Sequence, residues 1–88
     1  MGSKKYTREQ VEEKVVRVVR EQLSLGRLME IKMVSRLDED LGGDELDMVE
    51  LAMVLEGEFG VSIDEEDQDG WEVVADVVAT VRKELGMK

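Results

Sequence analysis

The sequence predicts an all-α domain: a small bundle of three main helices and one short one. Three observations carry this. Apolar residues recur at helical rather than alternating spacing in two long segments. Proline is absent, so segment ends are marked by Gly and by capping residues. The core must come from Val, Leu, Ile and Met, because the 88 residues include one Phe, one Trp and one Tyr. A chain this short forms one domain with one modest core. The expected domain spans 7–86, and 1–6 are expected to be an N-terminal tail or tag, with Met1-Gly2-Ser3 left out of the fold reading.

The first helix is expected from Arg8 to Leu23. Thr7 followed by Gln10 fits a capping box, in which each side chain satisfies an orphan backbone N–H. Val11, Val15, Val18 and Val19 form one apolar stripe. The run of valines works against a helix through lost χ1 freedom, but strict alternation is missing and the 3.6 period prevails. A long loop follows, Ser24 to Gly43, pinned by scattered apolar side chains, with room for a short extra helix near Gly26–Lys32 and an end at Gly42-Gly43. A loop of that length in a compact domain is expected to be functional or self-packed. The second helix runs from Glu45 to Glu58, with Asp44 as N-cap and Glu45 and Asp47 in the first turn, where carboxylates suit the helix dipole. Leu46, Val49, Met53 and Phe59 are assigned to its buried side, with Ala52 beside them and Leu51 and Leu55 extending the arc. Gly60 closes it. Asp64 to Asp69 makes at most a short third helix. Asp69, with Glu72 as reciprocal partner, is expected to cap the last helix. Val74, Val77, Val78, Val81 and Leu85 form its apolar face, Arg82 and Lys83 sit near its C-terminus, and Gly86 ends it.

Charge is strongly segregated. Residues 1–36 hold nine Lys/Arg and five Asp/Glu, whereas 37–81 hold sixteen acids and no Lys or Arg. The formal net charge is −10. Such a field repels nucleic-acid phosphates and anionic lipid and steers basic protein surfaces toward it. Cys and His are both absent. That removes disulfides, thiol chemistry, Cys/His zinc sites and the commonest general base. With no Gly-rich phosphate loop after a strand and little room for a cavity, an enzyme is the least favoured class. No apolar run approaches a membrane span, and the N-terminus lacks a signal-peptide core. The expectation is a cytoplasmic monomer with protein partners, no nucleic acid and no membrane insertion.

The most informative stretch is Asp40-Leu41-Gly42-Gly43-Asp44-Glu45-Leu46-Asp47. With Met48-Val49-Glu50-Leu51, with Leu55-Glu56-Gly57-Glu58-Phe59-Gly60-Val61-Ser62-Ile63, and with Val74-Ala75-Asp76-Val77-Val78, it resembles the acyl carrier protein family. The resemblance runs from the first helix to the last and implies an acyl-carrier-like four-helix bundle with a long first loop. The family places between the Asp and the Leu a serine that carries 4'-phosphopantetheine. Here that position holds Glu45, and a carboxylate is not the oxygen nucleophile that arm transfer needs. No cofactor is therefore expected on this sequence. The arm's phosphodiester would sit at a helix N-terminus, and Glu45 places one negative charge at about that point. It could imitate the modified state's charge without its reach, although a good first-turn residue is the simpler account.

The resemblance also implies that the second helix is the surface recognised by basic partner enzymes of acyl, fatty-acid or polyketide-type metabolism. Carried over by position, Asp44, Asp47, Glu50 and Glu56 are acidic contacts, and Leu46, Met48 and Met53 apolar ones. For Asp44 a capping role stands equally beside docking, and for Leu46 and Met53 core packing is the simpler account. Leu55, Phe59, Ile63 and Val77 are the candidate acyl cleft, residues that an ordinary core would also supply. Departures from the family bear on this. Gly57 stands where an acid is common, Asp64 where proline is frequent, and Gln68 and Trp71 where smaller or aliphatic side chains line the family's cavity.

Two other readings remain open at this point. One is a genuine acyl carrier protein with an engineered or atypical attachment site. The other, more distant, is EF-hand-like calcium binding at 65–76. There Glu65, Asp67, Asp69, Gly70 and Asp76 follow the loop spacing, with Glu at the first position and the shorter Asp at the twelfth.

Overall fold

The structure, a computed structural model, describes residues 6–87. Residues 1–5 of the expected tail lie outside the described residues. Tyr6, the last position assigned to that tail, packs its ring against Phe59 with centroids 5.2 Å apart.

Four helices follow in chain order: α1 (Arg8–Gln22), α2 (Glu45–Phe59), α3 (Glu65–Asp69) and α4 (Val74–Glu84). The described residues contain no named strand, and a single antiparallel bridge pairs Arg36 with Val73. The all-α expectation and its order of three main helices and one short one hold. α1 packs against both α2 and α4, and α3 leans on α2.

α1 starts as its sequence dictates. The Thr7 hydroxyl accepts from Gln10 N at 3.0 Å, and the Gln10 side chain accepts from Thr7 N at 2.9 Å. Its four stripe valines are all buried. α2 begins with the same device built from two acids. Asp44 Oδ1 accepts from Asp47 N at 2.9 Å, and Asp47 Oδ2 accepts from Asp44 N at 3.0 Å. Gly60 ends α2 at φ 68°, a left-handed conformation that costs a residue with a Cβ.

Three local expectations need correction. The room for an extra helix near Gly26–Lys32 is instead taken by a turn, closed by Met29 N donating to Gly26 O, with the carbonyls of Gly26 and Met29 both accepting from the Arg20 guanidinium. Asp69 does not cap the last helix. It is the final residue of α3, and α4 begins at Val74. The orphan N–H groups of Glu72 and Val73 donate to the Asp76 carboxylate at 2.9 and 3.0 Å, so the capping acid lies inside the helix.

The third correction concerns the buried face of α2. Its core residues are Leu51, Ala52, Leu55 and Phe59. Leu46, Val49 and Met53, assigned to the buried side, are 64%, 43% and 65% exposed. α2 is apolar on two faces, so spacing alone could not say which one the core would take.

The core gathers the α1 valines, the inner face of α2, and Val74, Val77, Val78 and Val81 of α4. Leu37 and Leu41 from the long loop, and Trp71 before α4, complete it. Trp71 Nε1 donates to Thr80 Oγ1 at 2.9 Å, which satisfies two polar atoms that would otherwise be buried at a cost. The loop is tied to α4 by backbone bonds: Ala75 N to Met33 O, Val74 N to Ser35 O, and Leu37 N to Glu72 O. A long loop without regular structure is thereby held in one path, self-packed as its apolar residues implied.

Candidate functional site

The start of α2 gathers the residues singled out in the sequence. Gly42, at φ 75°, turns the chain toward the helix. Gly43 lets the backbone pass close to its neighbours, for an added Cβ would lie 2.9 Å from Met48 Cε and 3.0 Å from Leu37 O. Asp44 and Asp47 then lock the first turn through their reciprocal caps. Glu45, the first helical residue, is exposed, and its carboxylate makes no hydrogen bond or ion pair among the described residues. Three carboxylates at the positive end of the helix are mutually tolerable because the dipole and free N–H groups favour negative charge there.

Beyond the first turn, two faces separate. Leu46, Val49 and Met53, at i, i+3 and i+7, form an apolar stripe on the side away from the core. By helical spacing Glu45 lies next to Val49, and Glu50 next to Leu46 and Met53. Glu50 accepts a hydrogen bond from Gln22 Nε2 at 3.3 Å. Glu56 differs from the other expected docking acids. It is only half-exposed, and its Oε2 accepts from Ile63 N at 2.8 Å, which holds the turn after α2. Met48 is half-buried and packs against the core. Val49 was missed as a surface residue. The signal that could have found it is the near-continuous apolar composition of Leu46–Leu55, which exceeds what one buried arc can hold.

The four candidate acyl-cleft residues lie together on the inner side of the bundle. Leu55 and Val77 are fully buried, Phe59 nearly so, and Ile63 packs against the core. A cleft of about 340 Å³ lies elsewhere, beside the α2 start, lined on its apolar side by Leu37, Met48 and Trp71 and at its rim by Arg36, Asp44, Glu45 and Glu72. Trp71 was read from the sequence only as an obstacle to a cavity.

The EF-hand reading fails on geometry. Glu65, Asp67 and Asp69 lie within the helical turn of α3 instead of a loop wrapped around an ion. Asp76 is committed to capping α4, and Asp67 Oδ2 is 2.7 Å from Lys83 Nζ. Among the described residues, the acids that do approach one another are Asp64, Asp67 and Glu84, a different set. The Asp67 hydrogen bond, assisted by the charge of that and neighbouring acids, raises the Lys83 pKa above its ordinary value.

A short acidic helical bundle with a glycine turn leading into a carboxylate-rich helix start is the arrangement that the resemblance to carrier domains implies. Comparison with known proteins makes the class specific. The family described as phosphopantetheine attachment site matches residues 13–81. An acyl carrier protein of Thermotoga maritima is 36% identical over 80 residues, covering 91% of this chain and 98% of that protein. One from Nitratidesulfovibrio vulgaris (strain DSM 19637 / Miyazaki F) is 39% identical over 72 residues, covering 82% and 93%. The crystal structure of an acyl carrier protein from Thermotoga maritima superimposes with a TM-score of 0.75 at 28% identity, covering 90% of this chain and 91% of that one. The chain belongs to the phosphopantetheine attachment site family and is a homologue of acyl carrier proteins, which are carriers and not enzymes. No helix among the described residues is long and apolar enough to cross a membrane.

The family implies 4'-phosphopantetheine, which is tethered through a hydroxyl. The first turn of α2 presents Glu45, Leu46 and Asp47, none of which carries one. Elsewhere Thr7 caps α1, Ser35 Oγ accepts from Lys32 N, and Thr80 is buried against Trp71. Ser24 and Ser62 are exposed but sit at the end of α1 and after α2. The residues at the α2 start do not fit covalent attachment of the group.

Proposed function

We propose that this chain is an acyl-carrier-type domain that acts by protein contact, with Glu45 standing where the family has its attachment serine. In this reading the acidic, apolar outer face of α2 docks basic surfaces of acyl-metabolism enzymes. The observation that carries it is the exposed stripe of Leu46, Val49 and Met53 on a helix with five acids and no cation. Large apolar side chains left in water on a charged helix mark an interaction site more often than a solvated face. Asp44, Asp47 and Glu50 supply surrounding charge and speed encounter with a basic partner. Glu45, free of internal partners, adds a negative charge at the point where the family's phosphodiester would begin. Glu56 contributes least, because its carboxylate is already engaged by Ile63 N.

The reading is tested by incubating the chain and its Glu45→Ser variant with coenzyme A and a phosphopantetheinyl transferase, followed by intact-mass measurement. The expected outcome is no adduct on the unaltered chain and one phosphopantetheine on the variant. An adduct on the unaltered chain would instead support a working carrier with an atypical site. Docking is tested separately, by titrating a basic acyl-metabolism enzyme at rising salt. Affinity should fall as exposed charges are screened, and Met53→Asp should weaken it further. A salt-independent affinity would contradict the docking mode.

A further inference from the structure

The outer face of α2 changes character along its length. Its first half is charged, and among the described residues none of Asp44, Glu45, Asp47 and Glu50 is paired with a cation. Its last turns have used their charge inside the molecule. Glu58 lies 3.5 Å from Lys14 Nζ and 3.3 Å from Arg17 Nη2, and Glu56 accepts from Ile63 N. What remains outward there is Met53, Val54 and Gly57, all exposed. At 3.6 residues per turn Gly57 lies within about 40° of both Met53 and Leu46 around the helix. It is nearly opposite Leu55, which is fully buried. The fold does not call for glycine at this point. Its φ is not in the left-handed region, and an added Cβ would meet nothing within 4 Å. Gly42 and Gly60 hold left-handed turns and Gly43 passes close to its neighbours, so each of those has an internal reason. Gly57 only loosens a helix that Ala would strengthen. Close approach from outside is the use left for its missing side chain.

We infer that Gly57 is a specificity-determining position of the α2 docking face: a bare step, bordered by Met53 and Val54, that seats a bulky apolar side chain of a basic partner protein. The inference rests on the docking reading of α2 and adds to it a contact made by shape. The partner's cations meet the unpaired acids of the first half of the helix. In the second half Glu56 and Glu58 are already engaged, and the surface left to cover is apolar side chain and bare backbone. A side chain seated on glycine comes closer to the helix than it could over Ala, and Met53 and Val54 beside it lose their water at the same time. The position also separates partners. The acyl carrier family commonly has an acid here, so a partner that presents a cation to that acid would leave it unpaired against this chain. Gly57 therefore excludes as well as admits.

Titration calorimetry tests it, with a phosphopantetheinyl transferase as the partner and the unaltered chain, Gly57→Ala and Gly57→Glu as ligands, each at low and at high salt. Thermal unfolding checks that both variants fold, and Gly57→Ala should unfold at a higher temperature than the unaltered chain. Affinity should nevertheless fall in step with side-chain size at both salt levels, roughly threefold for Ala and about tenfold or more for Glu. A glycine with a merely structural role would move the unfolding temperature and leave affinity unchanged. Gly57→Glu gives the sharpest contrast, because an added acid tightens a contact made by charge alone and blocks one made by shape. Equal affinity for Gly57→Ala and the unaltered chain, or tighter binding by Gly57→Glu, would overturn the inference and leave the docking reading intact. Equal weakening by both variants would do the same, since it traces to helix stiffness instead of filled space. No binding by the unaltered chain at low salt would overturn the docking reading and this inference with it.

Discussion

α1 and α2 are both fifteen residues long and both open with a reciprocal capping box, yet they use their apolar residues in opposite ways. α1 buries Val11, Val15, Val18 and Val19 and turns charges of both signs to water. α2 buries Leu51, Ala52, Leu55 and Phe59 and still leaves Leu46, Val49, Met53 and Val54 more than a third exposed. Beside the apolar core they share, polar contacts cross-link them. Lys14 and Arg17 of α1 both approach Glu58 of α2, at 3.5 and 3.3 Å, and Lys14 Nζ also lies over the Tyr6 and Phe59 rings. The difference separates stability from recognition. α1 spends its whole apolar content on the core, while α2 divides its own between the core and the outside.

The largest expected effect comes from exchanging one residue on each face of α2. Leu55→Ala removes a fully buried side chain and should cost about 2–5 kcal/mol in chemical denaturation. Met53→Ala, on the outer stripe, should stay within about 0.5 kcal/mol. Equal losses at the two positions would break the two-face description of α2.

A smaller contrast lies in its two glycines. Gly57 is helical and an added Cβ meets nothing within 4 Å, whereas Gly60 sits at φ 68°. Gly57→Ala should stabilise the protein by up to about 1 kcal/mol through helix propensity. Gly60→Ala should destabilise it by about 1 kcal/mol, the cost of a Cβ in the left-handed region. Thermal unfolding of the pair gives shifts of opposite sign.

The smallest effect concerns the other end of the bundle. The Asp67 hydrogen bond raises the pKa of Lys83 in the folded state. A cation with a raised folded pKa adds stability that is fully present below its unfolded pKa and is lost as pH rises through the folded one. Lys83→Met should therefore flatten the strongly alkaline part of the stability profile, slightly, since Lys83 is exposed.

How far the sequence could be read follows the same division between helices. Where apolar residues fall on one arc, as in α1 and α4, spacing identified the buried face directly. Where they fall on two, as in α2, spacing could not rank them, because the outcome depends on which arc meets Val15 and Val77 in three dimensions. The start of α4 was misread for a related reason. Asp69 and Asp76 both stand near a helix start, and only the backbone path through Trp71 decides which one caps. The glycine turn, the Asp44 cap and the placement of Glu45 in the first turn are local chemistry and were legible. The cleft beside Met48 and Trp71 was not, since it is formed by three segments distant in sequence.

The central proposal is that this carrier-type domain works without a tethered arm. The most direct test is the intact mass of the unaltered polypeptide recovered from its own cell. The expected result is the mass of the chain alone. A chain carrying one covalently bound phosphopantetheine would contradict the account.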